Sequence, residues 1–114
     1  MLNVAGRRVF LCRSPVDMRK SFDALAEVVR LELRMDPFLG DVFLFIGRDR
    51  QRLKVLVWEG DGFWVAHRRL ESTRLAPPTL WGPAGAALPL TPMEVLVLLQ
   101  ATLPRLRLGK SCKE

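Results

Sequence analysis

The chain has 114 residues, 49% of them hydrophobic and 26% charged. That composition suits one folded domain with its own core and excludes a disordered chain. Eighteen Lys and Arg against twelve Asp and Glu leave a net charge of +6, mostly from Arg, whose planar fork matches phosphate geometry and favours a polyanionic partner,.

In chain order, Arg8–Cys12 (RVFLC) predicts a short first strand,. A helix-start signal follows, with Ser14 as N-cap, Pro15 at the first helical position and Asp17 as the capping acid. Met18, Phe22, Leu25, Ala26, Val29 and Leu33 then recur at helical spacing,. The pattern predicts one long helix ending near Met35, because Asp36 precedes Pro37 and pre-proline residues avoid the α region. Asp36 to Gly40 is a turn.

Three strands are expected next. Val42–Ile46 is wholly apolar, Arg52–Trp58 follows the polar turn Gly47–Gln51, and Phe63–Arg68 returns after Glu59-Gly60-Asp61-Gly62, a hairpin-type turn,. The expectation is a small antiparallel meander with the long helix covering one face. Leu53, Val55 and Val57 alternate with Lys54, Leu56 and Trp58, so both faces are substantially apolar and the second needs a cover, from this chain or another protein.

Leu75–Leu90 is rich in Pro and Gly and is expected to be a wrapping arm anchored by Trp81,. A second helix start follows, with Thr91 as N-cap, Pro92 first and Glu94 as the box acid; Leu90 and Val95 can form a hydrophobic staple. That short C-terminal helix should stop before Pro104, leaving a basic tail from Arg105. The fold class expected is therefore α+β, with residues 1–78 as the core and residues 79–114 as arm, helix and tail of the same domain.

Catalysis is poorly supplied. His67 is the one histidine, and Cys12 and Cys112 form no CxxC pair, so no zinc set, metal or other cofactor is implied,. Reduced thiols in a cytoplasmic protein are the default. The start MLNVAGRRVF lacks the apolar core of a secretory signal, and no apolar run approaches membrane-spanning length. Asp17, Asp36, Asp41, Asp61 and Glu71 show no spacing suited to Mg²⁺ catalysis, and there is no nucleophile elbow or phosphate loop.

The basic residues are better organised. Arg48, Arg50, Arg52 and Lys54 alternate, and would share a side if the strand period ran through the turn. In a hairpin, Arg52 and Lys54 neighbour His67, Arg68 and Arg69, with Arg74 beyond. Arg48, Arg50, Arg52, Lys54, Arg68 and Arg69 are the expected nucleic-acid contacts, gripping phosphates without reading bases. The bland alternative is a solvated hairpin end whose arginines pair with Asp49 and Glu71. Trp58, Phe63 and Trp64 are expected to pack in the core rather than stack on bases.

The run Pro15-Val16-Asp17-Met18-Arg19-Lys20-Ser21-Phe22-Asp23-Ala24-Leu25 resembles the opening motif of the TnpB accessory proteins, the second-reading-frame products of the insertion-sequence-66 family. Asp36-Pro37-Phe38 with Gly40, Phe43-Leu44-Phe45-Ile46-Gly47-Arg48, Leu53 to Phe63 and Arg69-Leu70-Glu71 are similar to its later motifs, in order and spacing. Asp17, Met18, Arg19, Lys54, Trp58, Asp61, Gly62, Arg69 and Glu71 carry the likeness. The chain departs from the pattern at Ser72-Thr73-Arg74-Leu75 and at Gln100–Pro104. The resemblance implies a non-catalytic helper in DNA transposition, encoded beside a separate DDE-type transposase. Its expected partners are DNA at transposon ends or target, and the transposase; self-association is open. The alternative is a subunit that docks on the transposase, or on itself, without touching DNA.

Overall fold

The apolar run Val42–Ile46 (β2) becomes the central strand, and all five of its residues are buried. A strand covered on both faces has no reason to alternate with polar residues, and this one does not. The computed structural model describes residues 6–72, 74–75, 86–95 and 98. Within them, β1 (Val9–Cys12), β2, β3 (Arg52–Glu59), β4 (Gly62–Arg69) and β5 (Ala87–Leu90) form one sheet in the order β4-β3-β2-β1-β5.

The pairs β2–β3 and β3–β4 are antiparallel, with Phe43 opposite Leu56 and Lys54 opposite His67. The β3–β4 connection is the two-residue Gly60-Asp61, with Gly60 at φ +67, a value glycine takes without steric cost,. The whole is not an antiparallel meander, however. β1 lies parallel to β2, Val9 beside Val42 and Leu11 beside Leu44, and β5 closes the edge antiparallel to β1. A parallel neighbour needs a crossover of a dozen or more residues, and residues 13–41 supply it. β5 falls in the stretch expected to be an arm. Its Pro89 is tolerated because an edge strand has backbone positions that need no ladder bond,.

The long N-terminal helix is also corrected. Helix α1 covers only Phe22–Leu31. The Val16 N–H donates to the Ile46 carbonyl at 3.0 Å, and the Asp17 carboxylate accepts the Arg19 N–H at 2.9 Å. Asp17 therefore organises a turn docked on the end of β2 instead of capping a helix, a competition typical of short polar side chains. The N-cap is Ser21, whose hydroxyl bonds the Asp23 carboxylate. Past Leu31 the chain leaves the helix through Arg34 at φ 56, with the Leu33 and Met35 N–H groups closing on the Val28 and Val29 carbonyls.

One core lies between α1 and the sheet, where Leu25, Ala26, Val28 and Val29 meet Phe43, Phe45 and Leu56. Phe43 and Phe45 are 1% and 0% exposed; each such burial stabilises by about 1.5–3 kcal/mol. The opposite face carries Leu11, Val42, Leu44, Ile46, Leu53 and Val57. Its cover comes from the same chain: Leu70, Leu75, Val95 and Leu98 pack against it. The turn that brings Val95 there has the expected reciprocal cap, with the Glu94 N–H donating to Thr91 Oγ1 (3.1 Å) and the Thr91 N–H to Glu94 Oε1 (2.8 Å),. The end of that helix, Trp81, Cys112 and the tail lie outside the described residues.

Candidate nucleic-acid interface

The β2–β3 turn is built by Asp49. Its carboxylate accepts the Gln51 N–H (2.9 Å) and the Arg52 Nε–H (3.1 Å), and the first of these, aided by the Arg52 charge, holds the acid below its ordinary range. Arg50 takes the left-handed conformation (φ 58) there. That breaks the strand period, so the four basic residues do not all share a side. Arg50 instead donates to the Leu75 carbonyl (3.4 Å), and its own carbonyl accepts the Leu75 N–H (2.7 Å). It clamps the segment that covers the far face.

In β3 and β4, cross-strand register decides the rest. Arg52 stands directly opposite Arg69, and Lys54 opposite His67. These four share the face of Leu56 and Phe63, on which α1 packs,. Arg68, opposite Leu53, lies on the other face with the Leu-rich core. The sequence places Arg68 and Arg69 side by side; the sheet sends them to opposite sides. His67 is exposed, yet a partial loss of hydration first, and then the charges of Lys54, Arg52 and Arg69, push its pKa below the ordinary 6.5.

The Asp17–Arg19 turn adjoins this cluster. The Arg19 guanidinium makes a paired contact with Asp17 (Nε to Oδ1 3.1 Å, Nη2 to Oδ2 2.8 Å), which holds that carboxyl far below its usual range. Met18 is buried against Gly47, where a Cβ would meet its Cγ at 2.8 Å. A concavity of about 220 Å³ between Asp17 and the strands is lined by Val16, Asp17, Met18, Arg48 and Arg52. Lys54 Nζ donates to the Lys20 carbonyl at 2.8 Å, tying the same loop to β3. Arg48 is exposed.

A second surface escaped the sequence reading. At the hairpin tip, Phe22, Phe38, Trp58 and Phe63 form a chain of ring contacts with centroids 4.9–5.8 Å apart. They line a groove of about 600 Å³ whose rim holds Asp23, Glu27, Arg30 and Asp61. Phe22 and Phe38 are 52% and 51% exposed. The available signal was the set of aromatics in three separate motifs, but only the fold brings them together. Trp64 departs from its expected core role, being 46% exposed with its Nε1–H donated to Glu59 (2.8 Å). Among the described residues, no three of His, Cys, Asp and Glu gather as a metal site, and no helix is long and apolar enough to cross a membrane.

These features define a small α+β protein with a cationic sheet face at one end of its hairpin and an aromatic groove at the other. The chain belongs to the family described as IS66 Orf2 like protein, which it matches over residues 7–105. It is thereby an accessory-type protein associated with an insertion sequence and its transposition system, in a family not known for catalysis. Two uncharacterised proteins of Sinorhizobium fredii, y4jC and y4hO, are each 33% identical to it. The y4jC match covers 82% of this chain and 77% of that protein, and the y4hO match 81% and 77%. No solved structure matches the chain.

Proposed function

We propose that this chain is a transposition accessory protein that grips DNA phosphates with the α1-side sheet surface formed by Arg48, Arg52, Lys54 and Arg69. The supporting observation is the register that sets Arg52 against Arg69 and Lys54 against His67. Arg52 and Arg69 are like charges directly opposite, which destabilises a sheet, and a polyanion laid across them and the neighbouring Lys54 relieves that repulsion,. Arg50 and Arg68 drop out of the contact set because they serve the other side. Phosphate contacts carry affinity but no base readout, so the protein should bind duplex DNA with little sequence preference. Fluorescence anisotropy with a duplex from the element's terminal repeat and a scrambled duplex tests this. Salt-sensitive binding to both is expected, and no binding at low salt would overturn it.

The aromatic groove favours a second role for the same molecule, docking on the transposase. Two half-exposed phenylalanines in a concave surface suit an apolar anchor from a protein partner. Phe38→Ser should then abolish capture of the transposase by immobilised protein and leave DNA binding intact; undiminished capture would exclude the groove.

A further inference from the structure

Among the described residues, the two edges of the sheet are managed differently. β5 is four residues long and contains Pro89. β4 runs eight residues, Gly62–Arg69, without proline, and Trp64, Val65, Ala66 and His67 are exposed. The phase of its ladder is set by Leu70, whose N–H donates to the Gln51 carbonyl at 2.6 Å. Residues 64, 66 and 68, alternating with Leu70, turn their backbone groups to β3, while Phe63, Val65, His67 and Arg69 turn theirs to the open side. A long edge of this kind is a template for another strand.

The sequence of β4 indicates which strand fits. Its first half is aromatic and aliphatic, Phe63-Trp64-Val65-Ala66, and its second half is cationic, His67-Arg68-Arg69. A parallel copy would set arginine beside arginine. An antiparallel copy sets each half against the other. Outward-turned residues must meet outward-turned residues, which rules out registers shifted by one. The register that satisfies both conditions pairs Phe63 with Arg69 of the second copy and Val65 with His67, both hydrogen-bonded. Between them, Trp64 meets Arg68, and Ala66 meets itself. Each aromatic ring then faces a guanidinium, a favourable cation–π pairing.

We propose that the chain forms a two-fold dimer by antiparallel β4–β4 pairing centred on Ala66, joining two five-stranded sheets into one of ten strands. The axis is perpendicular to the sheet, so both α1-side faces point the same way. The inference does not rest on the DNA reading. Strand-edge pairing buries little area, at the low end for specific interfaces, so the dimer is expected to be concentration-dependent.

The test uses the full chain in a Cys112→Ser background. Ala66→Cys should form a disulfide-linked dimer on mild oxidation, because a non-hydrogen-bonded antiparallel pair brings Cα atoms to about 4.5 Å, within disulfide range. Phe63→Cys should not, since the two copies of residue 63 lie six strand steps apart, roughly 20 Å. Light scattering over a concentration series should show mass rising toward twice 13.0 kDa. Val65→Pro, which removes an outward N–H that β3 does not use, should abolish that rise without unfolding the sheet. A monomer at every concentration, Ala66→Cys linking no faster than Phe63→Cys, or a Val65→Pro protein that still dimerises would each overturn the proposal.

Discussion

Arg48 and Arg50 are two residues apart and alternate on paper, yet the structure gives them different surroundings. Arg48 is exposed beside Arg52, whereas Arg50 is left-handed and bonded to Leu75. Removing either takes away one positive charge, so net charge cannot explain a difference between them. With four phosphate contacts, log affinity should fall against log salt with a slope of about −3.6. Arg48→Gln should reduce the slope to about −2.7 and weaken binding roughly eightfold at ~0.1 M salt. Arg50→Gly should leave the slope nearly unchanged, because its guanidinium is turned to the Leu75 carbonyl and is not among the proposed phosphate contacts,. Its stability should also hold. The lost hydrogen bond costs about 1 kcal/mol, and relief of the left-handed conformation returns about the same. Anisotropy titrations at four salt concentrations, with urea unfolding of each variant, measure both quantities. Equal slopes for the two variants, or a flattening with Arg50→Gly alone, would refute the assignment of faces.

His67 links binding to pH. Its folded pKa lies below 6.5, so the unfolded chain takes up the proton first; free-protein stability should fall as pH drops below about 6.5. Phosphate at the same face favours the charged imidazole, so DNA affinity should rise over that window, and His67→Gln should remove the rise. Gly40→Ala should cost about 1–2 kcal/mol in urea unfolding, because Gly40 sits at φ +86 and the new Cβ would meet Arg7 Nη1 at 2.9 Å. Thr91→Ala should cost about 1 kcal/mol, with Glu94→Ala adding less than its separate cost, since the two side chains act as one reciprocal cap,.

The local features of this chain were legible and the assembly was not. β2, β3 and β4 fall within a residue of their expected bounds, because apolar runs and a Gly-rich two-residue turn specify a hairpin locally. The Thr91–Glu94 cap was equally legible. What alternation cannot state is which strand lies beside which. β1 sits next to β2 only because a crossover of nearly thirty residues returns to it, and β5 looked like an arm because Pro89 argues against a central strand,. The helix start failed for a different reason. Ser14-Pro15-Val16-Asp17 fits a capping pattern, but the bond from Val16 to Ile46 and the turn around Asp17 are tertiary facts that outweigh a local preference worth about 1 kcal/mol,.

The basic set was partly legible for a related reason. Composition and hairpin pairing brought Arg52, Lys54 and Arg69 together correctly, and the period-2 rule assigns Arg68 to the other face once the register is known. Arg50 could not be assigned, since a single left-handed residue resets the period and nothing in its side chain announces that conformation. The motif residues then acquire a spatial sense. Asp17, Met18, Arg19, Lys54 and Arg69 gather at the Arg52 end of the hairpin, and Trp58, Asp61 and Gly62 at its tip. Six strand steps of about 3.3 Å separate Arg52 from Trp58. Within one copy, a duplex gripped at the Arg52 end as proposed would therefore leave the aromatic groove, about 20 Å along the strands, for a protein anchor.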